Sequence, residues 1–143
     1  DENGNNCRDI SSGLWNGMFV GVSATSNGVT AHDSFTGYQA ANDLCDTAVS
    51  GSHVCTMDEM ANTIARTSDL TTLSGWTAGG TTQVWVNSGA AKYAPAATPA
   101  NDCVGWTDAS TDAFGNFWKL NSSGGGRGGV GYCETIKAFA CCK

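Results

Sequence analysis

Charge is scarce in this chain. Asp, Glu, Lys and Arg together make 14% of the 143 residues, and the small remainder is acidic, with a net charge of −6. Nucleic acids and anionic membranes attract proteins through a positive field, so neither is an expected partner. No stretch approaches the roughly 18–20 consecutive apolar residues of a membrane-spanning helix, which argues against membrane insertion. There are only two prolines and two histidines. A Gly-x-Ser-x-Gly nucleophile elbow is missing, so the pairings His32 with Asp33 and His53 with Asp58 do not read as parts of a catalytic triad. The Gly-rich run lacks the Lys-Ser/Thr pair of a phosphate-binding loop. No enzymatic activity is expected.

The chain does hold seven cysteines and 19 glycines, with abundant Ser and Thr. The cysteines stand at 7, 45, 55, 103, 133, 141 and 142, in none of the common metal-ligand spacings. Adjacent strand residues face opposite ways, which also disfavours a metal held by Cys141 and Cys142. Cysteines this numerous point to a disulfide framework made in an oxidising compartment, hence to a secreted or cell-surface protein. An odd count leaves one thiol over. Cys7, in a polar lead-in, is the candidate for an intermolecular bond or a free thiol. The turn carrying Asp102, Asp108 and Asp112 reads as solvated rather than as a calcium loop, since calcium takes 6–8 oxygen ligands. No cofactor is expected.

Residues 1–13 read as a polar N-terminal segment and 14–143 as a single domain. The start at Asp1 shows no signal-peptide pattern, so the chain reads as a mature form or as a piece of a longer protein. The run Leu14 to Val22 has the apolar and β-branched content of a buried strand. Thr36-Gly37-Tyr38-Gln39 and Thr56-Met57-Asp58-Glu59 match the capping box and open two short helices. In the first, Tyr38, Ala41, Leu44 and Cys45 recur at helical spacing, which delivers Cys45 inward. Thr82 to Asn87 alternates as a strand does. Cys103 to Thr107, Phe114 to Leu120 and Ile136 to Cys141 read as further strands, with a mobile Gly-rich loop at 122–131. Of the five tryptophans, Trp15, Trp106 and Trp118 read as core. Trp76 and Trp85 are candidate platforms for a sugar ring, Trp76 first because it sits in a Ser-Gly-Trp-Thr loop. Lys119, Arg127 and Lys137 are candidates for one basic face.

A cysteine in the first helix, another opening a Trp-containing strand, a third shortly before the end and a closing Phe139-Ala140-Cys141 resemble the C-type-lectin-like fold. That fold is α+β, with two short helices, antiparallel sheets, long loops and disulfide staples. The resemblance implies the pairs Cys45 with Cys141 and Cys103 with Cys133. Cys55 and Cys142 then pair by elimination. Gly51-Ser52-His53-Val54-Cys55-Thr56-x-x-Glu59, Cys103-Val104-Gly105-Trp106-Thr107 and Ala140-Cys141-Cys142 are similar to the C-terminal head domain of bacterial collagen-like surface adhesins. This implies a non-enzymatic recognition domain that binds surface carbohydrate, including sulfated glycans, and assembles as a homo-oligomer, here a trimer. The alternative is a structural subunit of an extracellular fibre or disulfide-linked oligomer. Calcium binding is not implied, because the Glu-Pro-Asn or Gln-Pro-Asp and Trp-Asn-Asp motifs of calcium lectins are absent. The ligand-facing side is expected at 70–102 and 122–131, loops able to vary without disturbing a core.

Overall fold

The computed structural model describes residues 17–87 and 102–143. Trp15, Cys7, the start of the expected Leu14 to Val22 strand and most of the second half of the 70–102 loop lie outside the described residues. The described elements run β1 (Phe19–Ser26), β2 (Ala31–His32), β3 (Phe35–Thr36), α1 (Gly37–Ala48), β4 (His53–Val54), α2 (Met57–Arg66), β5 (Gln83–Trp85), β6 (Phe114–Asn121), β7 (Gly125–Tyr132) and β8 (Lys137–Cys142). Helix and sheet are mixed. The main sheet has the order β1-β8-β5-β6-β7, with β4 pairing along another stretch of β8. Every pairing is antiparallel except β5 with β8.

β8 organises the core, because its period of two sends alternate side chains to opposite faces. Phe139 and Cys141 join Ala41, Leu44, Cys45, Trp85 and Trp106 on the α1 side. Ala140 and Cys142 join Phe19, Cys55, Met60, Val84 and Leu120 on the α2 side. The adjacent cysteines therefore staple both faces: Cys141 is bonded to Cys45 of α1, and Cys142 to Cys55 just ahead of α2. A third bridge joins Cys103 to Cys133. These are the three pairs assigned above.

The two helices begin where expected, by different means. Thr56 forms a full capping box, its hydroxyl accepting from the Glu59 N–H while the Glu59 carboxylate accepts from the Thr56 N–H. Thr36 makes no side-chain cap. The Gly37 N–H donates to the Thr30 carbonyl at 2.9 Å, so the turn ahead of α1 satisfies the first of the unpaired helix-start donors, whereas a side-chain cap would take one of the next two.

Two expectations about the chain fail. Cys103 to Thr107 is a left-handed helical turn rather than a strand, with φ of 53°, 56°, 69° and 62° at Cys103, Val104, Gly105 and Trp106. Its backbone is held by Trp106 N–H to Asp102 carbonyl at 2.8 Å, Thr107 N–H to Cys103 carbonyl at 3.0 Å, and Gly105 N–H to the Asp102 carboxylate at 3.0 Å. The buried Trp106 and the bridge from Cys103 anchor both ends of a conformation that a β-branched valine otherwise avoids. The Gly-rich loop is largely the edge strand β7, paired with β6 along its length from Gly125 to Tyr132. Here glycine gives room for a neighbour. A Cβ on Gly129 would stand 2.6 Å from the Phe117 ring, so the Phe117 side chain lies across glycine positions of β7.

Candidate functional site

The β6–β7 hairpin brings two cations into register. Lys119 pairs directly with Arg127, and Gln83 pairs with Lys119 from the other side. Residues directly opposite in a sheet share a face with Cβ atoms about 4.5–5.5 Å apart, close enough for two like charges to oppose each other. Among the described residues, neither cation forms an ion pair with a carboxylate. Together with Gly80, Asn121, Ser123, Gly124 and Gly126 they line an open groove of about 330 Å³. The Asn121 carboxamide oxygen accepts from the Ser123 N–H at 2.8 Å, which fixes the turn at the closed end of the hairpin. Gly126, with φ of 93°, has no room for a Cβ, which would meet the Lys119 carbonyl at 1.9 Å. The groove thus offers two positive charges, an amide and a hydroxyl on a backbone held by strand pairing.

The third expected cation is elsewhere. Lys137 is only 7% exposed, and its ammonium lies 4.0 Å from the Trp85 ring centroid and 5.7 Å from that of Phe117. Burial pushes its pKa down. Its stem covers the aromatic core while the charge rests on ring faces, a structural use of lysine that removes it from the basic face.

Neither tryptophan proposed as a sugar platform is available. Trp85 is completely buried on the α1 side, tilted against Trp106 with centroids 5.6 Å apart. Its indole N–H donates to the Ser26 carbonyl at 3.1 Å. Trp76 is 6% exposed and meets Phe19 edge to face at 5.0 Å. The Ser-Gly-Trp-Thr loop folds inward, and Trp76 joins Phe19, Met60, Leu70 and Leu120 in the α2-side cluster. Trp106 is core as expected; Trp118 is partly buried against the α2-side cluster.

Two polar constellations join residues whose spacing in the sequence does not link them. His53 Nε2 lies 3.0 and 3.2 Å from the two carboxylate oxygens of the fully buried Glu59. Burial alone would raise the Glu59 carboxyl, but hydrogen bonds from His53 and Thr56 outweigh it and hold the group below its ordinary value. Near α1, Tyr38 donates its hydroxyl to Asp102, tying the helix to the left-handed turn. Desolvation, then the Asp102 carboxylate, push this phenol well above its ordinary range. Asp102 is therefore engaged in structure, and Asp108 caps its own turn by accepting from the Ser110 N–H at 2.7 Å.

Among the described residues no helix is long and apolar enough to cross a membrane, and three disulfides fit an oxidising compartment. No family model, curated protein or solved structure matches the chain.

Proposed function

We propose that this chain is an extracellular, non-enzymatic recognition domain, a C-type-lectin-like adhesin head that binds acidic surface carbohydrate through the groove at the β6–β7 hairpin. The observation that carries this reading is the cross-strand pair Lys119 and Arg127, two cations opposite each other without a carboxylate partner among the described residues. Like charges in that arrangement repel, so an anion seated between them relieves a cost already present in the fold. A sulfate or carboxylate suits the paired cations, with Arg offering a planar fork and Lys a point charge. Asn121 and Ser123 add polar groups matched to ring hydroxyls. The adhesin resemblance supports the same ligand class, and the buried state of Trp76 and Trp85 moves the site from an aromatic platform to this charged groove.

A glycan array carrying sulfated, uronate-containing and neutral saccharides, read with calcium and with chelator, tests the proposal. Binding should favour the acidic members, weaken with added salt and persist without calcium. The Lys119→Ala, Arg127→Ala double variant should lose it while keeping the wild-type melting temperature. Equal binding of wild type and double variant to acidic saccharides would overturn the assignment. The second reading, a subunit of a disulfide-linked fibre, is supported by the cysteine count, since three bridges use six of seven cysteines.

A further inference from the structure

We propose that His32, Asp33 and Asp43 form a binding site for a divalent transition-metal ion. One ligand atom from each of the three residues lies within 4.8 Å of the other two. The closest pair, His32 Nδ1 and Asp43 Oδ2, is 2.6 Å apart.

The local fold preorganises the group. His32 pairs with Phe35 and Ala31 with Thr36, leaving Asp33 and Ser34 as a two-residue loop. Asp33 has a φ of 50°, a left-handed conformation that aspartate tolerates better than most residues. Thr36 ends the hairpin and is also the N-cap of α1. With no linker between them, the angle between hairpin and helix is fixed, and Asp43 in the second turn of α1 is brought back onto His32.

The charges are unbalanced without a cation. Among the described residues, no Lys or Arg forms an ion pair with Asp33 or Asp43. With the imidazole neutral, as a metal ligand must be, the group brings together two carboxylates and no positive charge. A dication neutralises that repulsion and uses the imidazole lone pair at the same time. One nitrogen and two oxygens suit zinc and its first-row neighbours. They serve calcium poorly, because it takes 6–8 oxygens. Tetrahedral metal–ligand bonds of about 2.0–2.2 Å place ligand atoms roughly 3.3–3.6 Å apart, so the His32–Asp43 contact of 2.6 Å opens by about 0.7–1 Å on metal binding while the Asp33 carboxylate starts from within 4.8 Å of both, adjustments that side-chain rotation can make. The side chains of His32 and Asp43 are 28% and 25% exposed and Asp33 is exposed, so solvent reaches the site and three protein ligands leave a coordination position for water or a ligand oxygen.

A plain hairpin-to-helix tie between His32 and Asp43 would not involve Asp33, and the experiment turns on that difference. Zinc chloride alone is titrated calorimetrically into the full, tag-free, chelator-stripped chain. One site per chain is expected. Asp33→Asn, which keeps the tolerance for a left-handed backbone, should weaken zinc affinity at least about tenfold with an unchanged melting temperature before zinc is added. Asp43→Asn should weaken it similarly, and calcium should not compete. Zinc binding equal in wild type and Asp33→Asn, or no binding up to about 1 mM zinc, would overturn the proposal.

Discussion

Single side chains here take their roles from burial more than from residue type. Trp76 looks like an exposed aromatic from its loop sequence, yet it sits against Phe19 with 6% of its surface open. Replacing it by Ala should therefore cost about 3–5 kcal/mol, the usual range for emptying a buried aromatic site, and leave glycan affinity of the folded fraction intact. Thermal denaturation together with binding checks this, and an unchanged melting temperature with lost binding would restore Trp76 to the ligand site. Glu59 carries a different prediction, in pH. Its folded carboxyl lies below the ordinary value because His53 and Thr56 donate to it. The unfolded chain then binds the proton more readily, so this group's stabilisation is complete above the ordinary carboxylate range and is lost as pH falls through the depressed folded value. Glu59→Gln should flatten the acid limb of a stability-against-pH curve. It should also cost roughly 1–3 kcal/mol near neutrality, the range for weakening hydrogen bonds to a buried charged group. An acid limb identical to wild type would exclude Glu59 as its source.

Elements differ in how plainly they could be read. α2, β5, β6 and β8 follow their apolar periods because each buries one face, or both, against the sheet or a helix. β7 reads as a loop in the sequence because glycine carries no pattern; only its pairing with β6 and the rings of Phe117 and Trp118 lying across it reveal the strand. The Cys103 to Trp106 turn has the composition of a strand, and its left-handed backbone depends on Asp102, Trp106 and Cys133, contacts distant in sequence or dependent on side-chain direction. The basic face is half legible in the sequence: Lys119 and Arg127 meet because β6 and β7 pair in that register, whereas Lys137 folds over Trp85. The staples on β8 allow a prediction at this scale. With both bridges intact, the Cys45–Cys141 bond closes only the short circuit from Cys45 to Cys55 through the adjacent Cys141 and Cys142. The chain-entropy model then assigns about 3 kcal/mol to losing either bridge alone. Losing both also opens a loop whose ends are 96 residues apart, for roughly 7 kcal/mol together. Denaturant unfolding of Cys45→Ala/Cys141→Ala, Cys55→Ala/Cys142→Ala and the fourfold variant should show the combined loss exceeding the sum of the separate ones. Simple additivity would mean that the bridges constrain the unfolded chain independently.

At the scale of the whole molecule, the remaining thiol and the sheet edge bear on assembly. All six cysteines of the described residues are used within the chain, so Cys7 is the one available for a partner. β1 lies at one end of the main sheet, and the segment bearing Cys7 precedes it in sequence. The proposed trimer, the symmetry suggested by the adhesin resemblance, would gather three copies of Cys7. Three thiols can make one disulfide and must leave one thiol unpaired, so covalent linkage and symmetry give different counts. Sedimentation at micromolar concentration should report a trimer. Non-reducing electrophoresis of the same sample should show linked dimers beside single chains, and Cys7→Ser should remove the dimer band. Because Cys7 closes no bridge of the fold, that variant should keep both the wild-type melting temperature and, if noncovalent contacts of about 1,000 Å² or more hold the assembly, the trimeric mass. A monomer at all concentrations, or a Cys7→Ser variant that dissociates, would show respectively that the chain does not self-associate or that the disulfide alone holds it together.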